Sequence, residues 1–325
     1  MARPLRLESE DGVYHVLNRG NYRAAIFRTE KTRAAFLGCL AEACEKTGWV
    51  VHAWCVMANH YHLALSTPRG NLVEGMSWLQ GTFANRFNRF RGEHGHLFQG
   101  RYKSFVVEPG ERLGALCHYI HLNPVKAGLC PAGDLPSWRW TDMRWLVTPG
   151  TRPKWYDPSP ALEHAGSLAD TTAGRRKYLD YLSWLAEDEP ARKQLGFERM
   201  TTGWIIGTAG FVKDLVKEHK MLASRGGHAA ELRAAREAEW QEMLDRLRTK
   251  LGRQADEIPA SGKSASWKLA LAAALKAKTT ATNRWLAAAL HLGNLYEVSR
   301  KVAQWSRKPN PQLARAVGFT PNPKA

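Results

Sequence analysis

The sequence lacks any segment that would carry it into or across a membrane. Its first residues, MARPLRLESEDG, contain no apolar core of the kind that a signal peptide needs. Elsewhere in the chain no apolar run approaches the length of a membrane-spanning helix, about 20 residues. From these absences we expect a cytoplasmic protein.

Paired cysteine motifs are also missing. The five cysteines do not recur at the spacings of a zinc ribbon or of a disulfide framework. Their pattern therefore excludes a small secreted domain held together by disulfides. We expect buried thiols in a reducing compartment at Cys39, Cys44, Cys55, Cys117 and Cys130.

Acidic residues are scarce near the C-terminus. The 325-residue chain has a formal net charge of +17. Residues 1–130 contribute +6, residues 131–260 contribute +1, and residues 261–325, with 11 basic residues and 1 acidic residue, contribute +10. A basic balance concentrated at the two ends favours a polyanionic partner, most commonly nucleic acid.

The stretch ANHYHLAL, residues 58–65, places two histidines in a strand-forming run. Alternate side chains of a strand point to opposite faces, so His60 and His62 share one face and Tyr61 lies on the other. Two imidazoles on one face are able to hold a divalent ion or to grip a phosphate. The alternative is a half-solvated sheet in which histidines alternate with core residues.

Hydrophobic periodicity predicts an α+β fold for the first part of the chain, an antiparallel sheet with helices on one face. In the predicted helix Asn71–Arg91, a stripe of apolar residues that includes Phe87 and Phe90 is best explained by core packing. The predicted elements are a strand at Gly12–Gly20, a helix at Glu30–Lys46, a hairpin broken at residues 57–59, the helix Asn71–Arg91, a strand ending near Pro109 and a helix ending at Pro124.

The rest of the chain is predicted to be helical. Residues 131–165 mix Pro, Gly and Trp without a period and are interpreted as a linker. We therefore expect an α+β domain at 1–130, the linker at 131–165, a helical region of unknown role at 166–260 and a basic tail at 261–325.

The basic tail has the pattern of a helix-turn-helix. Thr280 is a plausible N-cap for a helix that holds residues 285–290, residues 291–295 form a turn around Gly293, and residues 296–304 form the next helix. A plain helical hairpin is the alternative. The last helix would offer to a DNA groove Asn294, Tyr296, Ser299, Arg300 and Lys301.

Tyr119 and Asn123 lie one turn apart on the predicted helix that ends at Pro124. A tyrosine hydroxyl attacks a phosphodiester when a cation polarises and orients the phosphate, and Asn123 is a candidate third ligand beside the histidine pair. The alternatives are a half-buried packing tyrosine and an asparagine that ends the helix.

Four stretches in order, YHVLNRGN, MANHYHLAL, GHLFQGRYKS and HYIHLNPVKAGL, resemble the IS200-type single-tyrosine transposases of the His-hydrophobic-His (HUH) nuclease superfamily. The subgroup that they resemble most is the REP-associated tyrosine transposases. The resemblance covers about Gly12 to Leu129. The residues after Ser261 are similar to the helix-turn-helix extension of longer members.

The resemblance implies a ferredoxin-like sheet that binds single-stranded or hairpin DNA and cleaves it through a 5′-phosphotyrosine intermediate. It implies Mg²⁺ or Mn²⁺ as the cofactor, His60 and His62 as metal ligands, Tyr119 as the nucleophile and Asn123 as the third ligand. Related enzymes have a longer glutamine at that last place, so the helix would have to approach more closely or a water would have to bridge. Members of the family are monomers or homodimers.

Basic and aromatic residues are interleaved in the same region, a pattern that suits single-stranded DNA. The predicted function is a nucleoid-associated, metal-dependent DNA endonuclease and strand transferase acting on REP-like repeats. The alternatives are a non-catalytic, domesticated regulator of repeat elements and, less well supported, a metallohydrolase. The candidate DNA-binding residues are Arg86, Arg89, Arg91, Arg101, Tyr102, Lys103, Arg300 and Lys301.

Overall fold

A computed structural model describes residues 8–225 and 228–320 of the protein. Contacts divide the chain into two compact units, Met1–His219 and Lys220–Ala325. Residues 1–7, part of the N-terminal segment that lacks a signal-peptide core, lie outside the described residues, as do residues 321–325 of the basic tail.

The first unit is built on a mixed five-stranded sheet, which confirms the predicted α+β class. Its strand order is β2-β3-β1-β4-β5; the first four strands pair antiparallel and β5 pairs parallel with β4. The strands and their two connecting helices are β1 Gly12–Arg19, α1 Glu30–Thr47, β2 Val50–Val56, β3 His60–Thr67, α2 Leu72–Arg91, β4 Lys103–Val107 and β5 Ile205–Ile206.

Local signals set the ends of these elements. The Thr29 side chain caps α1 by accepting from the Thr32 amide. The helix ends at Gly48, whose φ of 72° is a left-handed conformation that glycine adopts without a steric penalty. The predicted helices Glu30–Lys46 and Asn71–Arg91 are therefore close to the observed ones.

Helices cover both faces of the sheet, whereas the sequence predicts helices on one face. The helices α1 and α2 pack on the face that holds Val16, Tyr61 and Leu63. The other face, with Ala53 and Ala64, packs against α3 Glu111–His121. A sheet buried on both sides needs apolar residues on both faces of its strands, and β2 is buried along almost its whole length.

The rest of the first unit wraps the sheet. Residues 131–165 form isolated bridges to the exposed edge of β2, one joining Val51 to Tyr156 and one joining Cys55 to Thr141. The predicted domain limits stay predictions. The remaining helices are α4 Asn123–Lys126, α5 Met143–Val147, α6 Ser159–His164, α7 Thr172–Glu187, α8 Glu189–Gln194 and α9 Ala209–Arg225, which runs into the second unit.

The second unit is all-helical and has its own core. Thr282, not Thr280, caps the first helix of the predicted helix-turn-helix, since its side chain accepts from the Trp285 amide. Gly293 has a φ of 93° in the turn that follows. The helices are α10 His228–Lys250, α11 Glu257–Ala260, α12 Ser266–Lys278, α13 Asn283–Ala289, α14 Leu295–Arg307 and α15 Pro311–Val317.

The five cysteines are free thiols. Cys39, Cys44, Cys55 and Cys117 are buried, as the sequence predicts, whereas Cys130 is partly exposed because it lies in the loop after α4. No helix within residues 8–225 and 228–320 combines the length and the apolar character needed to cross a membrane.

Candidate active site

The two histidines of β3 lie on the sheet face that α3 covers. Their ring centroids are 5.1 Å apart with the ring planes at 83°. His62 is buried and His60 is partly exposed. The pair therefore presents one enclosed and one accessible imidazole to the same space.

A third histidine joins the pair from β1. The strand register sets His15 opposite Ala64, diagonal to His62. Nε2 of His15 lies 2.9 Å from Nδ1 of His62, and Nδ1 of His15 lies 2.7 Å from the carbonyl oxygen of Met200. Sequence reasoning missed His15 because the contact depends on strand pairing, which the residues around His15 do not encode.

All three histidines are held in the neutral form that binds metal ions. Burial lowers the pKa of His15 to about 4. Burial, together with the charges that His15 and His60 would carry, lowers the pKa of His62 well below its ordinary value. Burial and the nearby Arg19 lower the pKa of His60.

Tyr119 projects from α3 over the same face. Its ring meets those of His62 and His15 edge-on, at centroid distances of 5.9 Å and 6.1 Å. Phe197 packs edge-on against its other side at 5.5 Å, and Tyr119 is only 8% exposed. Burial raises the pKa of Tyr119, so the phenol keeps its proton at neutral pH.

Asn123 is tied to the end of the tyrosine helix. Its Nδ2 donates to the carbonyl oxygen of Tyr119 at 2.8 Å and to that of Ile120 at 3.5 Å. Both carbonyls belong to the last turn of α3, so the side chain caps that end of the helix. The amide oxygen is the only atom of this side chain that is able to ligate a metal.

The residues fit a divalent metal. Nδ1 of His60 lies 2.7 Å from Oδ1 of Asn59, and Nδ1 of His62 is engaged by His15, so each ring has Nε2 left to ligate. Within the described part of the chain, no three His, Cys, Asp or Glu side chains are grouped to hold a metal ion. The two histidines offer nitrogen donors, which suit Mn²⁺ better than Mg²⁺.

Positive charge surrounds this cluster. Nζ of Lys126, one helical turn beyond Asn123, lies 6.0 Å from the centroid of the Tyr119 ring. Arg19 is paired with His60 in the strand register, and Lys103 begins β4 on the same sheet face. Sequence reasoning identified Lys103 but not Arg19 or Lys126, whose positions beside the site depend on tertiary packing.

Residues 9–123 match the family model described as "Transposase IS200 like". This stretch contains the strand histidines, Tyr119 and Asn123. Residues 9–123 form an IS200-like transposase domain. Members of that family are typically enzymatic tyrosine transposases, and they usually use divalent metals.

One solved structure similar to this chain is described as "Structure of the REP associates tyrosine transposase bound to a REP hairpin". The two sequences are 16% identical, the match covers 48% of this chain and 92% of the other, and the TM-score is 0.39. No curated protein matches the chain significantly.

A buried polar network holds the tyrosine helix of the transposase domain in place. The hydroxyl of Tyr178 lies 2.8 Å from Nδ1 of both His118 and His121. His121 Nε2 bonds the buried carboxylate of Asp142 at 2.8 Å, and His118 Nε2 bonds His164 at 2.9 Å. These histidines are structural, because their ring nitrogens are used in buried hydrogen bonds.

The candidate DNA-binding residues of α2 fall into different environments. Arg86 forms a two-pronged ion pair with Glu42 of α1, at 2.6 Å and 3.0 Å. Arg91 pairs with Glu93 at 2.7 Å. Arg89 is exposed, and the predicted core residue Phe90 is 72% exposed. Phe90 fails as a core residue because it lies past the edge of the buried stripe that ends at Phe87.

The remaining candidates divide in the same way. Tyr102 is buried in the core of the transposase domain, so its ring is not available for stacking in this conformation. Arg101 and Lys103 are exposed. In the second unit Arg300 is exposed, whereas Lys301 pairs with Glu297 at 3.3 Å.

A groove of about 530 Å³ opens on the transposase domain beside the start of α1. Tyr22, 93% exposed and with a φ of 51°, lies on its wall with Phe87 and Arg91. His94 and His96 line it as well. Sequence reasoning missed Tyr22, although its place in the turn RGNYR was a signal that the side chain would be exposed.

Proposed function

We propose that the protein is a metal-dependent endonuclease and strand transferase that cleaves single-stranded or hairpin DNA through a 5′-phosphotyrosine intermediate. The observation that carries the proposal is the edge-on contact of the Tyr119 ring with His62, at 5.9 Å, inside the IS200-like domain. It brings a nucleophile and a metal-binding imidazole together from two separate elements of the fold.

In the proposed reaction the Tyr119 hydroxyl oxygen forms a bond to phosphorus and the bond from phosphorus to the 3′ oxygen breaks. The phenol loses its proton and the departing 3′ oxygen gains one, so the products are a 5′-phosphotyrosine link and a free 3′-hydroxyl. Attack of a 3′-hydroxyl on the phosphotyrosine reverses these changes and joins strands. No redox step is needed.

His60 and His62, through Nε2, and Asn123, through Oδ1, would hold the metal. A divalent ion bound there polarises the scissile phosphate as a Lewis acid. Lys126 adds fixed positive charge beside the Tyr119 ring, where the negative charge of the phenolate and the phosphate would develop. Arg19 and Lys103 supply further positive charge on the same sheet face.

The DNA strand would be held by exposed aromatic and basic groups. Tyr22 in the groove and Phe90 on α2 offer ring faces on which bases stack, and Arg89 and Arg101 offer charge to the backbone. We further propose that α14 contacts flanking duplex, since Tyr296 is 88% exposed and Arg300 is exposed on the same helix.

A second candidate function is a non-catalytic regulator that binds repeat DNA. The observation in its favour is the cover over Tyr119, which is 8% exposed beneath Phe197. Such burial leaves little of the Tyr119 surface open to a phosphate.

The test incubates a labelled single-stranded hairpin, taken from repeats beside the gene, with Mn²⁺ or Mg²⁺ and full-length protein. Wild type is compared with Tyr119→Phe and with Tyr181→Phe, a matched change at a partly buried tyrosine of α7. On a denaturing gel we expect a DNA-linked protein band that needs the metal, persists in Tyr181→Phe and disappears in Tyr119→Phe.

A band that survives in Tyr119→Phe would show that another group is the nucleophile. Wild-type protein that shifts the hairpin with either metal but never forms the linked band would favour the regulator instead.

A further inference from the structure

We infer that His15 is a positioning residue for the candidate metal site: by accepting a hydrogen bond from Nδ1 of His62, it directs the bare Nε2 of His62 to the metal. The inference rests on the proposed function, because it concerns the metal site of that reaction. His15 itself would not touch metal or substrate.

The protonation pattern follows from one oxygen. The carbonyl of Met200 only accepts hydrogen bonds, so Nδ1 of His15, 2.7 Å away, must carry the proton. In neutral His15 the other ring nitrogen, Nε2, then carries no proton and accepts a hydrogen bond. Nδ1 of His62, 2.9 Å from it, must therefore donate, and a neutral His62 is left with a bare Nε2.

The ring of His15 has no room to adopt another arrangement. It is fully buried, and its ring centroid lies 5.2 Å from that of His62 and 5.6 Å from that of Phe105 of β4. Turning the ring over would put carbon atoms where Nδ1 and Nε2 now lie. The hydrogen bonds to Met200 and His62 would then be lost in a site that water does not reach.

The site therefore extends beyond the residues that match the family model. Met200 lies between α8 and β5, far along the chain from residues 9–123. Phe197 of the same segment packs on Tyr119. Part of the helical region with no predicted role thus supplies the carbonyl that orients a metal ligand in the sheet.

The first measurement uses metal-free, full-length protein and ring proton–nitrogen correlation NMR, which distinguishes a protonated from a bare histidine nitrogen. In wild type we expect His62 to carry its proton on Nδ1. In His15→Leu, which offers no acceptor, we expect the Nδ1 form to lose its dominance. His15→Gln keeps an amide oxygen near the position of Nε2 and should preserve part of the wild-type pattern.

The second measurement is a titration with Mn²⁺ alone. Because a partner that orients a ligand is typically worth 10–100-fold in metal affinity, we expect His15→Leu to bind Mn²⁺ about tenfold or more weakly and His15→Gln to lie between it and wild type. The control is His52→Leu, which removes a buried histidine of β2 that bonds Ser66 at 2.7 Å and Asp157 at 3.2 Å. Circular dichroism checks that each variant is folded.

Unchanged His62 protonation and unchanged Mn²⁺ affinity in folded His15→Leu would overturn the inference while leaving the proposed function intact. An equal loss of affinity in His52→Leu would overturn it too, because the effect would then be general. If wild type binds no Mn²⁺, the proposed metal-dependent function fails, and the NMR comparison still decides whether His15 sets the protonation of His62. If His15→Leu does not fold, His15→Gln is compared with wild type in both measurements.

Discussion

His60 and His62 share a strand face but not an environment. His62 is buried between His15 and Tyr119, whereas His60 is partly exposed beside Arg19. A buried ligand keeps its orientation without substrate, and an accessible one leaves a side of the site open. We expect the exposed side, next to His60, to be where a phosphate approaches.

Asn123 has two possible roles, capping α3 and ligating the metal, and Asn123→Asp separates them. The change keeps a ligating oxygen and adds charge, so Mn²⁺ should bind more tightly if that oxygen ligates. It also removes the donor to the Tyr119 carbonyl and sets negative charge at a helix C-terminus, which should lower stability by about 1 kcal/mol. Mn²⁺ titration and thermal unfolding measure the two effects.

Asn88→Asp is the matched control, since Asn88 is near the end of α2 and its Nδ2 likewise donates to a backbone carbonyl, that of Gly95, at 3.1 Å. Tighter Mn²⁺ binding in both variants would indicate a general charge effect. Lower stability with unchanged Mn²⁺ affinity would leave Asn123 as a cap alone.

At this scale the sequence predicts which residues face together along one strand, but not which residues meet across strands. The shared face of His60 and His62 follows from alternation alone. The contact between His15 and His62 needs the register of β1 on β3. The ion pair of Arg86 with Glu42 needs the packing of α1 on α2, which a basic helix face does not reveal.

At the scale of elements, α3 is fixed by its neighbours as well as by its own sequence. A Cβ added to Gly114 would lie 2.2 Å from Cβ of His164, so α3 and α6 approach more closely than any other residue at that position allows. The network through Tyr178 then joins α3 to α7 and, through Asp142, to the segment along the β2 edge. Tyr119 therefore sits on a rigid element.

This network should make the protein sensitive to acid. Burial, followed by the charges that His164 and His121 would carry, lowers the pKa of His118 well below its ordinary value of 6.5. The unfolded chain takes up a proton near pH 6.5 but folded His118 does not. Its contribution to stability is therefore complete above that pH and is lost as the pH falls towards the folded pKa, by up to about 1.4 kcal/mol per pH unit.

The titratable groups around His118 are Tyr178, Tyr181, His164 and His121. Glu111 pairs with His164, and Asp142 pairs with His121. In His118→Gln we expect the unfolding free energy to fall less steeply with pH below pH 6.5, because unfolding of the variant takes up about one proton fewer. Denaturant titration at several pH values measures this slope. The control is exposed His291→Gln. An unchanged slope in His118→Gln would show that His118 is not the group that titrates.

Periodicity predicts the long elements well because each of them has a continuous apolar side. The predicted helix Asn71–Arg91 differs from α2 by one residue. The short elements are harder to predict from the sequence. Strand β5 has only two residues and forms because the edge of β4 is open for pairing. Thr282 and not Thr280 is the N-cap because α13 begins at Asn283. The sequence offers two threonines close together and does not show at which of them the helix begins.

At the scale of the whole molecule, the second unit buries a core that runs through α10, α12, α13, α14 and α15. Cutting the chain at residue 261 would expose Trp240, Leu244 and Leu247 of α10, so point variants test its function more cleanly than a truncation. The strong positive charge of residues 261–320 lies on this scaffold.

We expect Arg300→Glu to weaken binding of full-length protein to duplex DNA and to reduce the slope of log affinity against log salt by about one. Fluorescence anisotropy at several salt concentrations measures both effects. The control is Arg246→Glu, an equal charge reversal at an exposed position of α10. Equal losses in the two variants would indicate general attraction rather than a contact through α14.

The tyrosine helix α3 packs on β2 and β3 of its own chain, so both histidines and the tyrosine belong to a single polypeptide. In this arrangement the residues of the proposed catalytic site all come from one chain. We therefore expect a preparation that mixes Tyr119→Phe chains with His60→Ala chains not to recover cleavage by exchange, and wild-type cleavage should scale with the first power of enzyme concentration. In a cell that carries an intact and a defective copy of the gene, the defective protein would compete for repeat DNA but would not inactivate the intact protein by assembling with it.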